Sequence, residues 1–591
     1  MFSLSFRLVK ISEDQLKSPL RRHGMEQKRY LSMNSCNLQS APPAFTIRTA
    51  TIGLAVMLHA WGAPVSATTY FVGMTGNNAN PGTARTNAWR TIQSAVDRVS
   101  PGDAVIVLAG AYTGAWIQRS GLPNSPITLK ADDGAAVVLN VRNPSPYASR
   151  GSILWLEDWD GYGPVSYWII QGFEIANAPR YGIDIRGSAA QPTRFITVIS
   201  NRVHNSVVTG IFSAFSDDLL IVGNESYSNG EHGVYCSNSG DRPVVRGNRL
   251  HHNANCGLHM NGDVTAGGDG IISGGLVENN RIYKNGTGGS GINMDGVMGS
   301  RVQNNLIYAS PNNSGIALFQ QNGAVPSRNN MIINNTVIMN SNTTTTCGWG
   351  LTIANSGCVS NSILNNIFYS YHSFRGAIQI ASTVIPGLIC DYNAMESCFS
   401  TDNGYSTFTS FAAWKALGYD SNSIIATPTQ LFLNFAADDY HLKTNSPGID
   451  SGTAVAGMVM DIEGTPRPLD GSGDGTNRWD TGAYEYISEV SDSDNDGMKD
   501  RAEWIAGTDL LNSGSRLAIN AISITAQGNS IMWWTSQVGR VYSILSGTNL
   551  VTGFVSQATN LSANAPMNVY TAAPSSSAEQ FYKVSVTYPG H

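Results

Sequence analysis

The sequence predicts an all-β protein whose main body is a right-handed parallel β-helix, a solenoid of stacked coils. Two recurring phrases support this fold class. The first is an asparagine followed by any residue, an apolar residue and usually an aromatic residue or His. It begins at Asn201, Asn224, Asn248, Asn280, Asn305, Asn335 and Asn366, at intervals of 23 to 32 residues. Such spacing is typical of a solenoid with insertions, so each repeat is read as one coil.

The second phrase recurs with the same period as the first. It consists of Gly, an apolar residue, any residue and usually a second apolar residue. It begins at Gly182, Gly210, Gly233, Gly257, Gly291, Gly315 and Gly350. Alternation with a period of two predicts a strand that buries one face. No helical period separates the strands, so turns must connect them, and Gly and Asn supply the positive φ that turns require. We therefore interpret the asparagines as turn or ladder residues of the scaffold.

Length and charge agree with this fold. A chain of 591 residues exceeds one ordinary globular core, but a solenoid grows in one dimension and escapes that limit. Charged residues make up 13% of the chain and the net charge is −6. This balance argues against a nucleic-acid partner. It suits a secreted β protein rich in Asn and Gly.

The first 67 residues are predicted to be a leader outside the fold. An apolar run over residues 51–61 follows Arg48 and precedes small residues that end at Ala67. This order is typical of a signal peptide over about residues 48–67, cut after Ala67. The run is too short to span a bilayer. We expect a secreted or cell-surface protein without a transmembrane segment after cleavage; a signal anchor is the alternative.

Six cysteines follow this leader. An even number in a secreted chain permits disulfides, and the natural candidates are Cys347 with Cys358 and Cys390 with Cys398. Buried free thiols are the alternative. The sequence shows no Cys or His cluster at the spacing of metal ligands.

The stretch over residues 68–140 contains Tyr70-Phe-Val-Gly, then Trp89-Arg-Thr-Ile-Gln-Ser-Ala-Val, then Pro101-Gly-Asp-Ala-Val-Ile-Val. This opening resembles the N-terminal part of secreted polysaccharide lyases of the pectate-lyase-like β-helix superfamily. The resemblance implies a strand, a short amphipathic helix over the open end, and then the first coils. It implies a polysaccharide groove along the stacked strands, and it is more specific for fold than for reaction.

The remaining chain divides into four parts. Coils of the β-helix are expected over residues 141–400, and irregular last coils with a closing segment over 401–488. A calcium-binding linker is predicted over 489–512. Residues 513–591 alternate as short strands and predict a small β-sandwich. Its aromatic residues, Trp533, Trp534 and Tyr542, are more typical of a core than of a sugar-binding platform.

The sharpest local motif is a calcium loop that matches an EF-hand. Its side-chain ligands are Asp492, Asp494, Asp496, Asp500 and Glu503, with the backbone carbonyl of Met498 between them and Gly497 at the turn. Alternating oxygen donors wrap a hard cation, and the final Glu closes the site with both oxygens. Because the loop occurs once, we expect a structural calcium that stiffens the linker.

Candidate catalytic residues lie at the outward position of the glycine phrase. Adjacent coils are about 4.8 Å apart, so Tyr235, His259 and Asn293 should reach one sugar. Asp295 lies two residues further along its strand and is the fourth catalytic candidate. The candidates for substrate binding along the same groove are Asp184, Arg186, Glu231, His232, Asn261 and Arg375.

This cluster favours cleavage of a uronate-containing polysaccharide by β-elimination. His259 is the expected base and Tyr235 the acid or a partner base. Asn293, with Asn261 or Arg375, would clamp the uronate carboxylate. Members of the superfamily commonly use Lys or Arg as base with a carboxylate-bound calcium. This row of residues has no Lys, so that mechanism is not carried over.

Other functions stay open on the same scaffold. Hydrolysis needs two carboxyl groups about 5 to 9.5 Å apart, which Asp295 with Asp263 or Asp269 would have to supply. C5-epimerisation shares the first proton abstraction. A non-catalytic glycan-binding or cell-surface protein is the alternative outside enzymes. In each case the expected partner is a polysaccharide substrate or glycan ligand, and we expect a monomer.

Overall fold

The computed structural model describes residues 6–11, 67–143, 151–157, 164–311, 313–339, 348–402, 408–550, 553–577 and 579–589. The chain divides into two compact units. The first contains residues 66–504 and 508–515, and the second contains residues 1–65, 505–507 and 516–591. Within the described residues, no helix is long and apolar enough to cross a membrane.

The larger unit is a parallel β-helix made of three sheets of 12 strands each. The first sheet contains Thr69–Val72, Ala104–Val107, Ile127–Ala131, Trp168–Gln171, Ile196–Ile199, Leu220–Val222, Val244–Arg246, Leu276–Glu278, Arg301–Gln303, Met331–Ile333, Ser362–Leu364 and Ile389–Asp391. The second contains Gly110–Thr113, Val137–Val141, Glu174–Ala176, Arg202–His204, Glu225–Tyr227, Arg249–His251, Arg281–Tyr283, Leu306–Tyr308, Thr336–Met339, Ile367–Ser370, Ala394–Met395 and Ile424–Ile425.

The third sheet carries the glycine phrases. It contains Ala115–Ile117, Leu154–Leu156, Ile183–Arg186, Ile211–Ala214, Val234–Ser237, Leu258–Asn261, Ile292–Asp295, Ser314–Phe319, Trp349–Ile353, Ile378–Ile380, Phe399–Ser400 and Phe408–Thr409. Only its last pair is antiparallel within the described residues. Short ladders pair Thr193–Arg194 with Ser216–Asp217, Ile272–Ser273 with Val297–Met298, and Phe432–Asn434 with Asp439–Leu442. The predicted parallel β-helix is confirmed.

Alternate side chains of each strand are apolar and point into one continuous interior. On the third sheet Val234, Leu258 and Ile292 stack in register and are fully buried. Apolar burial of this kind is the main stabilising term in a fold without helical layers. The side chains between these residues face outward, where a ligand can meet them.

The recurring asparagines form a buried ladder. The backbone N–H of Asn248 donates to Oδ1 of Asn280 at 2.9 Å, and its side-chain Nδ2 donates to the carbonyl of Ile221 at 2.9 Å. The same pattern links Asn280 to Asn305 and Asn305 to Asn335. All seven asparagines of the first phrase are buried. The interpretation of these residues as scaffold is confirmed, because each one satisfies backbone groups of neighbouring coils.

Helices are few and short among the described residues. The α-helices are Ile92–Val96, Phe411–Ala416, Pro428–Leu431 and Asp500–Ala506, and the 3₁₀ helices are Arg85–Asn87, Val264–Ala266 and Phe435–Ala437. The first α-helix is the predicted end helix. Thr91 caps it by accepting from the N–H of Ser94, and it buries Ile92, Ala95 and Val96 against the interior. It thereby shields the apolar residues of the first coils from water.

The closing segment covers more than the last coil. Leu306, Ile338 and Ile367 of the second sheet form an apolar cluster with Ala483 and Tyr484. The N–H of Gly482 donates to the carbonyl of Asn365 at 2.7 Å. The closing segment, expected to finish and cover the last coil, also contacts earlier coils. It lies along the side of several coils because their outward residues are apolar there.

Neither candidate disulfide is found among the described residues. Cys358, Cys390 and Cys398 are free thiols, and Cys347 lies outside the described residues. The thiol of Cys390 donates to Oδ2 of Asp420 at 3.1 Å. The close-pair interpretation is wrong for Cys390 with Cys398, since both side chains are engaged separately; the thiol of Cys398 contacts the carbonyl of Phe374 at 3.6 Å.

The smaller unit contains two antiparallel sheets. One is formed by Ile519–Ile524, Ser530–Thr535 and Met567–Ala572, and the other by Val541–Gly547, Val555–Ser562, Gln580–Thr587 and Phe6–Ile11. Trp534 and Tyr542 are fully buried in one shared apolar core, as expected for core aromatics. The strand Phe6–Ile11 belongs to the segment expected to be a leader.

The ladder gives a direct stability test. We expect Asn280→Ala to lower the free energy of unfolding by about 1 to 3 kcal/mol, because the buried N–H of Asn248 and the buried carbonyl of Val245 on the preceding coil lose their partner. Chemical denaturation monitored by circular dichroism measures this change. Thr287→Ala, at an exposed position of the same coil, is the matched control and should leave stability nearly unchanged. Equal stability of the two variants would contradict the ladder.

Candidate functional site

Three predicted residues meet on the outer face of the third sheet. The Cα register pairs Tyr235 with His259 and His259 with Asn293 on consecutive strands. The rings of Tyr235 and His259 are stacked, with centroids 4.6 Å apart. The predicted register is confirmed. A phenol, an imidazole and a carboxamide therefore form one cluster, which we call the Tyr-His-Asn row.

The environment of the row keeps its side chains neutral. Tyr235 and His259 are half-buried, and Asn293 is only 8% exposed. Burial lowers the pKa of His259 to about 4, and the charge of Asp295 opposes this only in part. Burial also raises the pKa of Tyr235 against the hydrogen bonds made by its oxygen. At neutral pH the imidazole is uncharged and the phenol keeps its proton.

Two amides orient the row. Nδ2 of Asn261 donates to the Tyr235 hydroxyl oxygen at 3.1 Å, and Oδ1 of Asn261 accepts from the N–H of Asp263 at 3.1 Å. Asn261 therefore lies beside Tyr235, where its amide stabilises negative charge on the phenol oxygen. Oδ1 of Asn293 accepts from the N–H of Ser290 at 3.1 Å. This contact turns the carbonyl oxygen of Asn293 towards the backbone.

His232 lies behind the row. Its Nε2 is 3.3 Å from Nδ1 of His259, and its Nδ1 accepts from the backbone N–H of Cys256 at 3.3 Å. Burial and the neighbouring His259 lower the pKa of His232 to about 3. One ligating atom from each of His232, Cys256 and His259 lies within 4.8 Å of the others. The structure therefore brings together a cluster that the sequence did not reveal.

The sequence feature that could have predicted this cluster is the coil period itself. Cys256 follows His232 by 24 residues, which is one repeat. Residues one repeat apart lie at the same phase of adjacent coils. The glycine phrase makes this rule visible through its recurring motif, whereas the residues just before the glycine differ from coil to coil.

Asp295 is placed differently from its expected catalytic role. Its Oδ1 accepts from the N–H groups of Gln321 and Gly323 at 2.8 and 3.1 Å, and its Oδ2 accepts from Asn322 at 2.8 Å. The side chain is almost fully buried. Because three backbone donors surround the carboxylate, it anchors a loop and does not face a ligand. A hydrolytic pair between Asp295 and Asp263 or Asp269 loses its first member for the same reason.

Asp184 is fully buried and forms an ion pair with Arg186, whose side chain is half-buried. Nε of Arg186 lies 2.7 Å from Oδ1 of Asp184, and the hydroxyl of Ser152 donates to Oδ2 of Asp184 at 2.8 Å. The guanidinium of Arg186 also lies over the ring of Phe212, 4.5 Å from its centroid. Their expected role in binding substrate does not fit this burial, since each charge is already matched within the fold.

Arg375 and Glu231 lie at the edge of the third sheet. Arg375 is half-buried and precedes the strand Ile378–Ile380, which is four strands beyond Leu258–Asn261. Four interstrand spacings are about 19 Å, so Arg375 cannot clamp a sugar held by His259. Glu231 is half-buried and directly precedes His232.

The calcium loop forms a second candidate site. Carboxylate oxygens of Asp492, Asp494 and Asp496 lie within 4.8 Å of one another. Glu503 is fully buried in the helix Asp500–Ala506, and its Oε2 has no hydrogen-bond partner among the described residues. Burial, with the charge of Asp494 adding to it, raises the pKa of Glu503 to about 8. A buried carboxylate oxygen without a donor, close to three further carboxylates, fits the oxygen cage that calcium requires.

Comparisons with known proteins bear on the fold. Residues 70–233 match the family model described as Pel9A-like, right-handed β-helix region. The resemblance to the pectate-lyase-like superfamily is confirmed for the fold. No curated protein matches the sequence.

Several solved structures are similar in shape at low identity. Pectate lyase Pel9A is 16% identical with a TM-score of 0.47, over 72% of this chain and 98% of that chain. A rhamnogalacturonan lyase is 14% identical with a TM-score of 0.38, over 55% and 87%. A glycoside hydrolase is 11% identical with a TM-score of 0.40, over 57% and 95%.

The placement of Asp295 predicts a structural effect. We expect Asp295→Asn to lower the free energy of unfolding by about 1 to 3 kcal/mol, because the new amino group would face backbone N–H groups. Thermal unfolding in calorimetry measures the loss. Asp269→Asn, at an exposed position of the neighbouring insert, is the control. Full stability of Asp295→Asn would show that the carboxylate does not anchor the loop.

Proposed function

We propose that this protein is a carbohydrate-active enzyme that cleaves an extracellular uronate-containing polysaccharide by β-elimination. The observation that carries the proposal is the Tyr-His-Asn row, in which three polar side chains from consecutive strands face one position. The Pel9A-like description of residues 70–233 supports a polysaccharide as the partner. We also propose a secreted or cell-surface location, because an apolar run and small residues precede Thr68, and a monomeric state.

β-Elimination makes three demands on the site. The uronate carboxylate must be neutralised, the proton on the adjacent carbon must be removed, and the leaving oxygen must be protonated. Tyr235 and His259 are the two groups of the row that can exchange or share a proton with the sugar. Asn293 supplies an uncharged amide for the carboxylate. The row is rich in hydrogen-bond donors at neutral pH, which favours a sugar that carries an anionic group.

A hydrolase is less well supported than a lyase. The carboxylate of Asp295 is enclosed by backbone donors, and Asp263 accepts from the N–H of Thr265 and from Nδ2 of Asn238. A retaining or inverting mechanism needs two carboxyl groups that can reach the glycosidic bond. The reaction products distinguish β-elimination from C5-epimerisation and from glycan binding without cleavage.

For the linker we propose a structural calcium ion. Asp492, Asp494, Asp496 and Glu503 would hold it, together with Asp500 and the carbonyl of Met498. Asp500 accepts from the N–H and hydroxyl of Ser493 at 2.7 and 2.8 Å, so it already ties the ends of the loop together. When bound, calcium would offset the mutual repulsion of these carboxylates.

The reaction is tested by its products. Wild-type protein, assayed on a panel of uronate polysaccharides, should release unsaturated ends that are measured by ultraviolet absorbance. We expect His259→Ala and Tyr235→Phe each to lower kcat/KM by about 100-fold or more, the usual contribution of a group that donates a hydrogen bond or transfers a proton to the reacting sugar.

The matched control is His204→Ala. His204 lies on the second sheet, where it stacks on Tyr227, and its loss should leave the rate unchanged. New reducing ends without unsaturation would indicate a hydrolase, and binding without any cleavage would indicate a glycan-binding protein. Either result would contradict the proposal.

Calcium binding is tested by stability. Excess calcium at 100 times its Kd should stabilise wild-type protein by about 2.7 kcal/mol, seen as a higher Tm than in a chelator. Glu503→Gln should lose most of this difference because the closing ligand is gone. Glu489→Gln, at an exposed position just before the loop, should keep it. A Tm of the wild type that is independent of calcium would refute the site.

A further inference from the structure

The hydrogen bonds behind the Tyr-His-Asn row have a direction. The backbone N–H of Cys256 can only donate, and its acceptor is Nδ1 of His232 at 3.3 Å. Nδ1 of His232 therefore carries a lone pair. A neutral imidazole has one N–H group, so the proton of His232 is on Nε2.

The same reasoning fixes the next ring. Nε2 of His232 lies 3.3 Å from Nδ1 of His259. Because the first nitrogen carries the proton, the second must accept it, and the proton of His259 is on Nε2. That Nε2 is buried and has no hydrogen-bond partner among the described residues. The chain of donors that begins at a backbone amide thus ends in an unsatisfied N–H within the row.

We propose that His232 is a positioning residue that holds His259 in its Nε2–H tautomer, so that His259 donates a hydrogen bond to an anionic or ether oxygen of the ligand. The identity of the ligand as a uronate sugar rests on the proposed function, whereas the tautomer assigned to His259 is independent of it. This assignment replaces the expectation that His259 is the base, since Nε2 already carries its proton and has no free lone pair, and the lone pair of Nδ1 accepts from His232.

The proton transfers then fall to Tyr235. Once the Tyr235 phenol has lost its proton to solvent, its oxygen takes the proton from the carbon next to the carboxylate, and the electron pair of that C–H bond forms the new double bond as the C–O bond to the leaving sugar breaks. The Tyr235 hydroxyl returns the same proton to the leaving oxygen. Nδ2 of Asn261, 3.1 Å from the Tyr235 oxygen, stabilises the deprotonated form. His259 keeps its proton throughout.

A bound metal ion is the competing interpretation of these residues. His232, Cys256 and His259 lie close enough to hold one. A metal would need a lone pair on the nitrogen of His232 that faces His259, and the Cys256 N–H places the proton there instead. The thiol of Cys256 is also protonated, since burial raises its pKa to about 12. The donor chain is therefore favoured over the metal site.

The tautomers are measured directly by NMR. The full chain is labelled with ¹⁵N-histidine, and long-range ¹H–¹⁵N correlations are recorded at pH 7, with signals assigned through His232→Gln and His259→Asn. We expect both rings to be neutral with the proton on Nε2. A proton on Nδ1 of either ring, a doubly protonated ring, or a stoichiometric metal that shifts both rings would overturn the proposal.

Two replacements of His232 separate positioning from simple packing. The amide introduced by His232→Gln retains an N–H that can donate to His259, so His259 should keep its Nε2–H tautomer. The carboxylate introduced by His232→Glu supplies only an acceptor, so the proton of His259 should move to Nδ1, and kcat should fall about 10-fold or more with little change in KM. His204→Gln, on the second sheet, should change neither quantity. An unchanged tautomer in His232→Glu would refute the role of His232.

The pH profile links the tautomer to the reaction. With Tyr235 as base, kcat/KM should rise with pH through the neutral and alkaline range, because burial raises the pKa of Tyr235. With His259 as base the rate would be level at every pH well above its pKa of about 4, and that result would overturn the assignment. Absence of unsaturated products with the expected tautomers would refute β-elimination and leave the donor chain standing.

Discussion

The structure depends on one constraint, the stacking of coils in register at the spacing of parallel strands. Buried asparagines bind the backbone of each coil to the next, and aligned apolar residues fill the interior. An interior of this kind cannot shift by one residue without turning every apolar side chain outward. Residues that are about one repeat apart in sequence therefore become neighbours in space, and outward positions form continuous rows.

The sequence alone was sufficient to predict the features that the stacking of coils in register determines. The glycine phrase places Tyr235, His259 and Asn293 at one phase, and a period of two turns them away from the interior. The structure shows them in register. The asparagine phrase likewise predicted ladder residues, because an amide that recurs at one phase of every coil can bond to its own copies above and below. Regular repeats are the part of a sequence that reports geometry most directly.

What covers an outward residue could not be predicted in the same way. Asp295 and Asp184 occupy outward positions, yet backbone donors of residues 321–323 surround the first, and Arg186 neutralises the second. An alternation of period two predicts the face of a strand on which a residue lies. It does not predict the path of an insertion that folds over that face. The direction of the hydrogen bonds through His232 was also hidden, because it is set by the backbone N–H of Cys256, which carries no sequence signal.

We expect the register of the third sheet to gather the Tyr-His-Asn row around one ligand. A crystal structure of the Tyr235→Phe variant with a uronate oligosaccharide would test this arrangement. We expect one uronate ring over the row, with its carboxylate or ether oxygen within hydrogen-bond distance of Nε2 of His259 and the same ring in contact with Asn293. An oligosaccharide bound on another face, or a ring that contacts neither side chain, would contradict it.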